Sequence, residues 1–124
     1  MINFEIVKRR AASDTSISVL DIKGELTINT IGEFESVLKT YMQENKLKII
    51  LDMEATTQLS SAGIAVLFDA VREVRKKKGN VKFVGMSPQI RELVDLLELP
   101  ELFHRYPTEV EAVEAFQEKA LKEA

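Results

Sequence analysis

Apolar residues alternate with polar ones at the start of the chain, in "INFEIV" (Ile2, Phe4, Ile6) and again in "SISVLDI", where Ile17 and Val19 are followed by Leu20 and Ile22. A period of two is that of a strand with one face in the core, so two short strands open the fold, joined as a hairpin around residues 11–14. After the turn at Lys23 and Gly24, "ELTI" reads as another brief extended piece. The period then changes. Ile31, Phe34, Leu38, Tyr41 and Met42 share one face of a helix over residues 31–44, opened by Thr30 and Glu33 at capping-box spacing. "LKIILDM", residues 47–53, is a continuous apolar run with an acid near its end, as in a strand buried on both faces and therefore central in its sheet.

In "TTQLSSAGIAVL", residues 56–67, hydroxyl residues lead directly into an apolar stretch. The pattern predicts a loop over 54–61 and a helix over 62–77 that is apolar around most of its early circumference. The closing "RKKKGN" suits the negative end of the helix dipole, and Gly79 suits the left-handed capping conformation. The run is thus read as a solvated helix end rather than as an anion or nucleic-acid patch. "VKFVGM", residues 81–86, is a further strand. "SPQIRELVDLLEL" begins with Ser87 as cap and Pro88 at the first helical position, and Ile90, Leu93, Val94 and Leu97 supply its buried face. A short extended piece follows at Leu102 and Phe103. The last helix opens on a second capping box, Thr108 and Glu111, with Val110, Val113 and Phe116 inward and a frayed end. Two initial strands and then alternating helix and strand predict an α/β fold, a mixed β-sheet of about four to five strands with about four α-helices. The loops that carry function should lie at the carboxyl ends of the strands.

Length and composition narrow this further. A chain of 124 residues, 45% of them hydrophobic, is expected to form one domain over 1–124 with no linker or repeat. It has no cysteine and one histidine, His104, so neither a disulfide framework nor a thiolate or imidazole zinc site is expected, and no metal or cofactor is assigned. No signal-peptide pattern and no apolar run of membrane-spanning length is present, which predicts a cytoplasmic chain without membrane insertion. With 17 basic and 20 acidic residues the net charge is −3. That balance argues against direct nucleic-acid binding and favours a protein or small-molecule partner.

Catalytic motifs are not evident. "GELTINTIG" and "GNVKFVG" lack the GxxxxGK spacing of a phosphate loop, and no serine has the GxSxG environment of a nucleophile elbow. Ser60 or Ser61 with His104 and Asp52 could compose a triad, but a lone histidine in "ELFHRYP" is better read as structural or exposed, and the chain as no enzyme. Asp52, at the end of the central strand, is placed like the phosphoacceptor of receiver domains but lacks the accompanying carboxylates and lysine; it is read as accepting amides of its own loop. Ser60 or Ser61 as an ordinary N-cap would stabilise the next helix by about 1 kcal/mol. Gly63, by contrast, costs about 1 kcal/mol relative to alanine. Ala62 and Gly63 leave the first turn almost bare, so that a backbone could approach closely or an anion could sit there. A docking surface, a phosphorylation site and a tight packing contact all remain compatible with this spacing.

"ILDMEATTQLSSAGIAVLFDAV" resembles the signature of STAS domains, in particular of the stand-alone bacterial anti-sigma factor antagonists (anti-anti-sigma factors): a buried strand ending in Leu-Asp, a short loop, then Asp-Ser-Ser/Thr-Gly opening an apolar helix. The similarity extends to "IKGELTINTIGEFESVL" before it and "VKFVGMSPQIRELVDLLELPELFHRYPTEVEAV" after it, nearly the whole chain. It implies the STAS fold and a partner-switching phosphoprotein in transcription regulation. The unphosphorylated antagonist would bind an anti-sigma factor, usually a serine kinase, and release a sigma factor. Phosphorylation in the signature loop would end that binding, and a PP2C-type phosphatase would restore it. ATP belongs to the kinase in this scheme. The family's Asp falls on Ser60, its first Ser on Ser61, its second Ser or Thr on Ala62 and its Gly on Gly63. The usual acceptor precedes the glycine, and Ala62 has no hydroxyl. Ser61 is then the implied acceptor, Ser60 the alternative and Thr57 the third. The implied partner-binding residues are Gln58, Ser60, Ser61, Ala62, Gly63 and Ala65. Ala62 also leaves an alternative open, a phosphorylation-independent STAS scaffold or a subunit of a transporter or sensory assembly.

Overall fold

The computed structural model describes residues 3–96 and 103–123, with side chains through residue 118 of the last helix. In chain order the elements are β1 (Phe4–Arg10), β2 (Ser18–Leu26), α1 (Ile31–Gln43), β3 (Lys48–Asp52), β4 (Thr56–Leu59), α2 (Ser61–Lys76), β5 (Asn80–Val84), α3 (Pro88–Leu96), β6 (His104–Tyr106) and α4 (Glu109–Glu123). The initial alternation becomes an antiparallel hairpin in which Phe4 faces Gly24 and Arg10 faces Ser18. All other pairings are parallel, in the order β1-β2-β3-β5-β6, with β4 on β2 off that path. Among the described residues the mixed sheet with four helices is the expected one, with one more strand than the upper expectation.

Successive side chains of a strand point to opposite faces, and both faces here are covered. Leu20, Ile22, Ile49, Leu51, Val81 and Phe83 pack under α1, α2 and α3, through Phe34, Leu67, Val71, Ile90 and Val94 among others. On the other face Val19, Ile50 and Val84 meet Ala112, Val113 and Phe116 of α4. Ile49, Ile50 and Leu51 are therefore all fully buried, the reason β3 carries an unbroken apolar run.

Several local expectations are corrected. Glu25 and Leu26 of "ELTI" complete β2, and residues 27–30 form a turn. The Thr30 hydroxyl serves that turn: it accepts the Thr27 amide at 2.9 Å and donates to the Glu25 carbonyl at 2.7 Å, so the first capping box is not made. The second is half made, Thr108 Oγ1 accepting the Glu111 amide at 3.2 Å. At the end of α2 it is Lys78, with φ 67°, that turns left-handed, not Gly79. The amides of Lys78 and Gly79 bond back to the Arg75 and Val74 carbonyls at 2.9 and 3.0 Å. Glycine is required at 79 by crowding instead, since a Cβ there would strike the Leu47 carbonyl. Leu93 and Val110, expected inward, are 41% and 61% exposed, because α3 presents Ile90 and Val94 and α4 presents Ala112, Val113 and Phe116. Leu97 and Leu102 lie outside the described residues. The short strand expected at 102–103 begins at His104, and Phe103 packs beside it on Phe83, ring centroids 5.1 Å apart.

The loop expected over 54–61 contains β4. β2 has nine residues, but β3 pairs only with Ser18–Asp21, which leaves the outer half of β2 with a vacant edge. Thr56, Gln58 and Leu59 take that edge opposite Gly24, Glu25 and Leu26, and Thr56 Oγ1 donates to the Ile22 carbonyl at 2.7 Å. β4 delivers the chain to α2 beside Leu26, whose carbonyl accepts the Ser60 amide at 3.1 Å. The same carbonyl occupies the space a Cβ on residue 63 would need, with Leu59 Cδ1 2.9 Å from that position.

On the face that α4 covers, Arg9 gathers acids from three elements. Its Nε lies 2.8 Å from Asp21, and its terminal nitrogen lies 2.7 Å from Glu109, at the start of α4, and 3.6 Å from Asp52. Asp52 also accepts the Glu54 amide at 3.0 Å, the loop role expected of it. Burial, more than any neighbour, raises the Asp52 carboxyl above the ordinary carboxylate range, with Asp21 and Glu54 adding to the effect; the Glu54 amide and Arg9 oppose it.

Two outcomes follow from this packing. Gly63→Ala should destabilise the protein by about 1–3 kcal/mol in urea unfolding although alanine is the better helix former, because the Leu26 carbonyl cannot recede; a stabilised variant would contradict the contact. For Asp52 the folded pKa exceeds the unfolded one, so ionisation costs stability above the raised value and costs nothing below the ordinary one. Asp52→Asn, which keeps an oxygen for the Glu54 amide, should be more stable than the parent at pH 7, with the gain shrinking towards pH 4 in parallel denaturation curves.

Candidate functional site

β3, β4 and α2 converge on one short surface. After Asp52 the chain turns, Met53 donating its amide to the Val84 carbonyl at 2.8 Å and Thr56 donating to the Met53 carbonyl at 3.0 Å. β4 then buries Thr56 and Leu59 and exposes Thr57 and Gln58, because the register shifts at Thr57, which has no partner on β2 and breaks the alternation of the strand. Ser60, in extended backbone, caps α2: its Oγ accepts the Gly63 amide at 3.1 Å. Ser61 is the first residue of α2 and is exposed, as is Ala65 one turn later.

The expected site residues are thereby brought together but not made equivalent. Gln58, Ser61 and Ala65 face solvent, Ser60 and Ala62 are half-buried, and Gly63 is buried beneath the surface. Ser60 spends its oxygen on the cap and its amide on Leu26. Helix geometry leaves the amides of Ser61 and Ala62 without an intrahelical carbonyl, and no acidic residue occupies the first turn. An exposed hydroxyl therefore stands at the positive end of a helix dipole that no side-chain carboxylate offsets. Such a position can accept and retain a phosphoryl group without unfolding the helix.

One residue of this region escaped the sequence reading. Ile28 is 69% exposed, two residues past the carbonyl that holds Ser60, in the turn that Thr30 closes. The alternation in "ELTI" absorbed it into a strand. The only signal against that was Thr-Ile-Asn-Thr itself, a polar run unsuited to a sheet interior.

No triad forms with His104. Its Nε2 lies 3.1 Å from Arg75 at the far end of α2, about 20 Å of helix from Ser60 and Ser61. Among the described residues no group of three or more His, Cys, Asp or Glu is placed to hold a metal ion, and no helix is long and apolar enough to cross a membrane.

Comparison with known proteins matches this geometry to a family. Residues 8–112 match the STAS domain. The chain is 28% identical over 91 residues to the anti-sigma-B factor antagonist of Staphylococcus epidermidis, covering 73% of this chain and 84% of that protein. It is 29% identical over 92 residues to the putative sulfate transporter YvdB of Bacillus subtilis; there the match spans 74% of this chain but only 17% of the transporter. In fold it is similar to an anti-sigma factor antagonist from Mycobacterium paratuberculosis, with a TM-score of 0.80 at 21% identity over 91% of this chain and 93% of that one. The phosphorylated form of the Bacillus cell fate determinant SpoIIAA gives 0.67 at 19% identity, over 92% of this chain and 99% of that one. The family match spans most of the sequence, and the chain belongs to the STAS domain family.

Proposed function

We propose that this chain is an anti-sigma factor antagonist: it binds an anti-sigma factor of the serine-kinase type through the surface at the start of α2, frees the sigma factor, and is switched off by phosphorylation of Ser61. The observation that carries this reading is the exposed Ser61 hydroxyl at an acid-free helix start, beside a Ser60 whose oxygen is engaged as the cap. The antagonist relatives support it, since they match over most of their own length. In the proposed cycle the kinase transfers the γ-phosphoryl group of ATP to Ser61 Oγ and ADP leaves. A PP2C-type phosphatase later hydrolyses the ester with water. The chain itself catalyses nothing, works in the cytoplasm and touches no nucleic acid.

Charge and packing explain the switch. A phosphoserine adds about −1.5 to −2 charge beside free amides and a favourable dipole, so α2 tolerates it. A partner packed on Gln58, Ser61, Ala65 and the exposed Ile28 would have to desolvate that dianion. A cost of a few kcal/mol lowers affinity by more than about tenfold. Gly63 enters the surface only from beneath, as the point where α2 closes on Leu26. The aligned stretch of YvdB and the alanine at position 62 favour one second reading, a STAS unit of a transporter assembly that is never phosphorylated.

Incubation with ATP and the cognate kinase, followed by peptide mass spectrometry, separates the two. Phosphate is expected on Ser61, retained in Ser60→Ala, which should lose only about 1 kcal/mol of stability with its cap, and absent from Ser61→Ala. Ser61→Asp should bind the anti-sigma factor at least about tenfold more weakly than the parent by calorimetry. Unmodified protein together with unchanged affinity of Ser61→Asp would remove the switch and leave the scaffold reading.

A further inference from the structure

At the carboxyl ends of β5 and β6 the chain departs in opposite directions. After β5 it enters α3, whose Ile90 and Val94 join the core that contains Phe83. After β6 it enters α4, whose Val113 and Phe116 join the core that contains Val84. Neighbouring parallel strands whose connections diverge leave a crevice outside their carboxyl ends, the position where open α/β sheets hold ligands. Here that crevice is a cavity of about 560 Å³, within the range of small-molecule sites.

Its lining is chemically divided. Among the described lining residues, Met86 and Pro107 offer apolar surface above the fully buried Phe83, while Arg91 of α3 and Arg105 of β6 supply two guanidinium groups against one carboxylate, Asp95. Arg105 is held by that carboxylate at 2.9 Å. Among the described residues the Arg91 side chain has neither a hydrogen bond nor an ion pair. A second concavity of about 410 Å³ along α3 shares Arg91 and Asp95, so the free guanidinium borders both spaces. The Tyr106 hydroxyl is engaged by Lys82 at 3.3 Å, which leaves polar recognition in the cavity to the arginines.

We propose that this crevice binds a small organic anion, a carboxylate or phosphate group on an apolar ring or short chain. Arg91 takes the anion through its planar fork of donors, Arg105 stands beside it, and the surface of Met86 and Pro107 covers the apolar part. Among the described lining residues two guanidiniums stand against one carboxylate, which selects a negative ligand, and a fork-shaped donor suits two oxygens of one group. The site does not use Ser61 or the surface at the start of α2, so it stands or falls separately from the partner-switching reading.

Phenyl phosphate, benzoate and inorganic phosphate serve as probes, titrated into the isotopically labelled full chain and followed by amide chemical shifts. Phenyl phosphate or benzoate should produce saturable shifts at Gly85, Met86, Arg91 and Arg105, and whichever binds tighter identifies the anionic group. Inorganic phosphate, without an apolar body, should bind at least about tenfold more weakly. Arg91→Gln, a substitution on the exposed face of α3, should leave the rest of the spectrum intact and weaken the tighter probe at least about fivefold. Shifts that grow linearly with concentration, that centre on Lys76, Lys77 and Lys78, or that are the same in Arg91→Gln would overturn the proposal.

Discussion

The Leu26 carbonyl accepts the Ser60 amide and fills the volume that a side chain at position 63 would require. Through these two contacts the end of β2 sets where α2 begins, how close it lies to the sheet and which of its first residues reach solvent. Buried backbone groups must be paired, and β2 outlasts β3 by several residues, so its outer half needs another strand. β4 meets that need and, by alternation, exposes Gln58 while burying Leu59. The geometry around Ser61 is thus a consequence of sheet pairing more than of any property of the serine.

Charge is distributed to match. Acids on the sheet face that α4 covers converge on Arg9, which binds Asp21, Asp52 and Glu109 and so fastens the start of α4 to β1, β2 and β3. The first turn of α2 carries none. One region is therefore held by acids that share a single guanidinium, while the other leaves a dipole end and unpaired amides facing solvent, where added negative charge is tolerated by the fold.

In the proposed switch the hydroxyl is carried by Ser61, because position 62, where the resemblance implies it, is alanine. Moving the candidate hydroxyl one residue back, to Ser61, places it at the first helical position, with the cap already supplied by Ser60. A helix advances about 100° per residue, so the phosphate of the proposed switch would leave the helix in another direction from that of a hydroxyl at position 62. Its partner would have to be complementary to that direction.

Hydrophobic periodicity and capping residues made the sheet order's central strand and the four described helices legible in the sequence, because burial of an apolar face dictates those patterns locally. They identified the loop before α2, the cap among its serines and the small residues that allow close approach. What the chain could not declare locally was decided by tertiary contacts. β4 has no apolar run and exists because β2 offers an edge; Gly79 is glycine because Leu47 crowds it, while Lys78 takes the left-handed turn; Thr30 closes a loop instead of capping a helix. The rotation of α3 and α4 that exposes Leu93 and Val110, and the crevice between β5 and β6, likewise arise from which faces the connections choose. Pattern along a chain records what each segment must bury. Edges, close approaches and cavities depend on residues far apart in sequence, and only the assembled sheet brings those together.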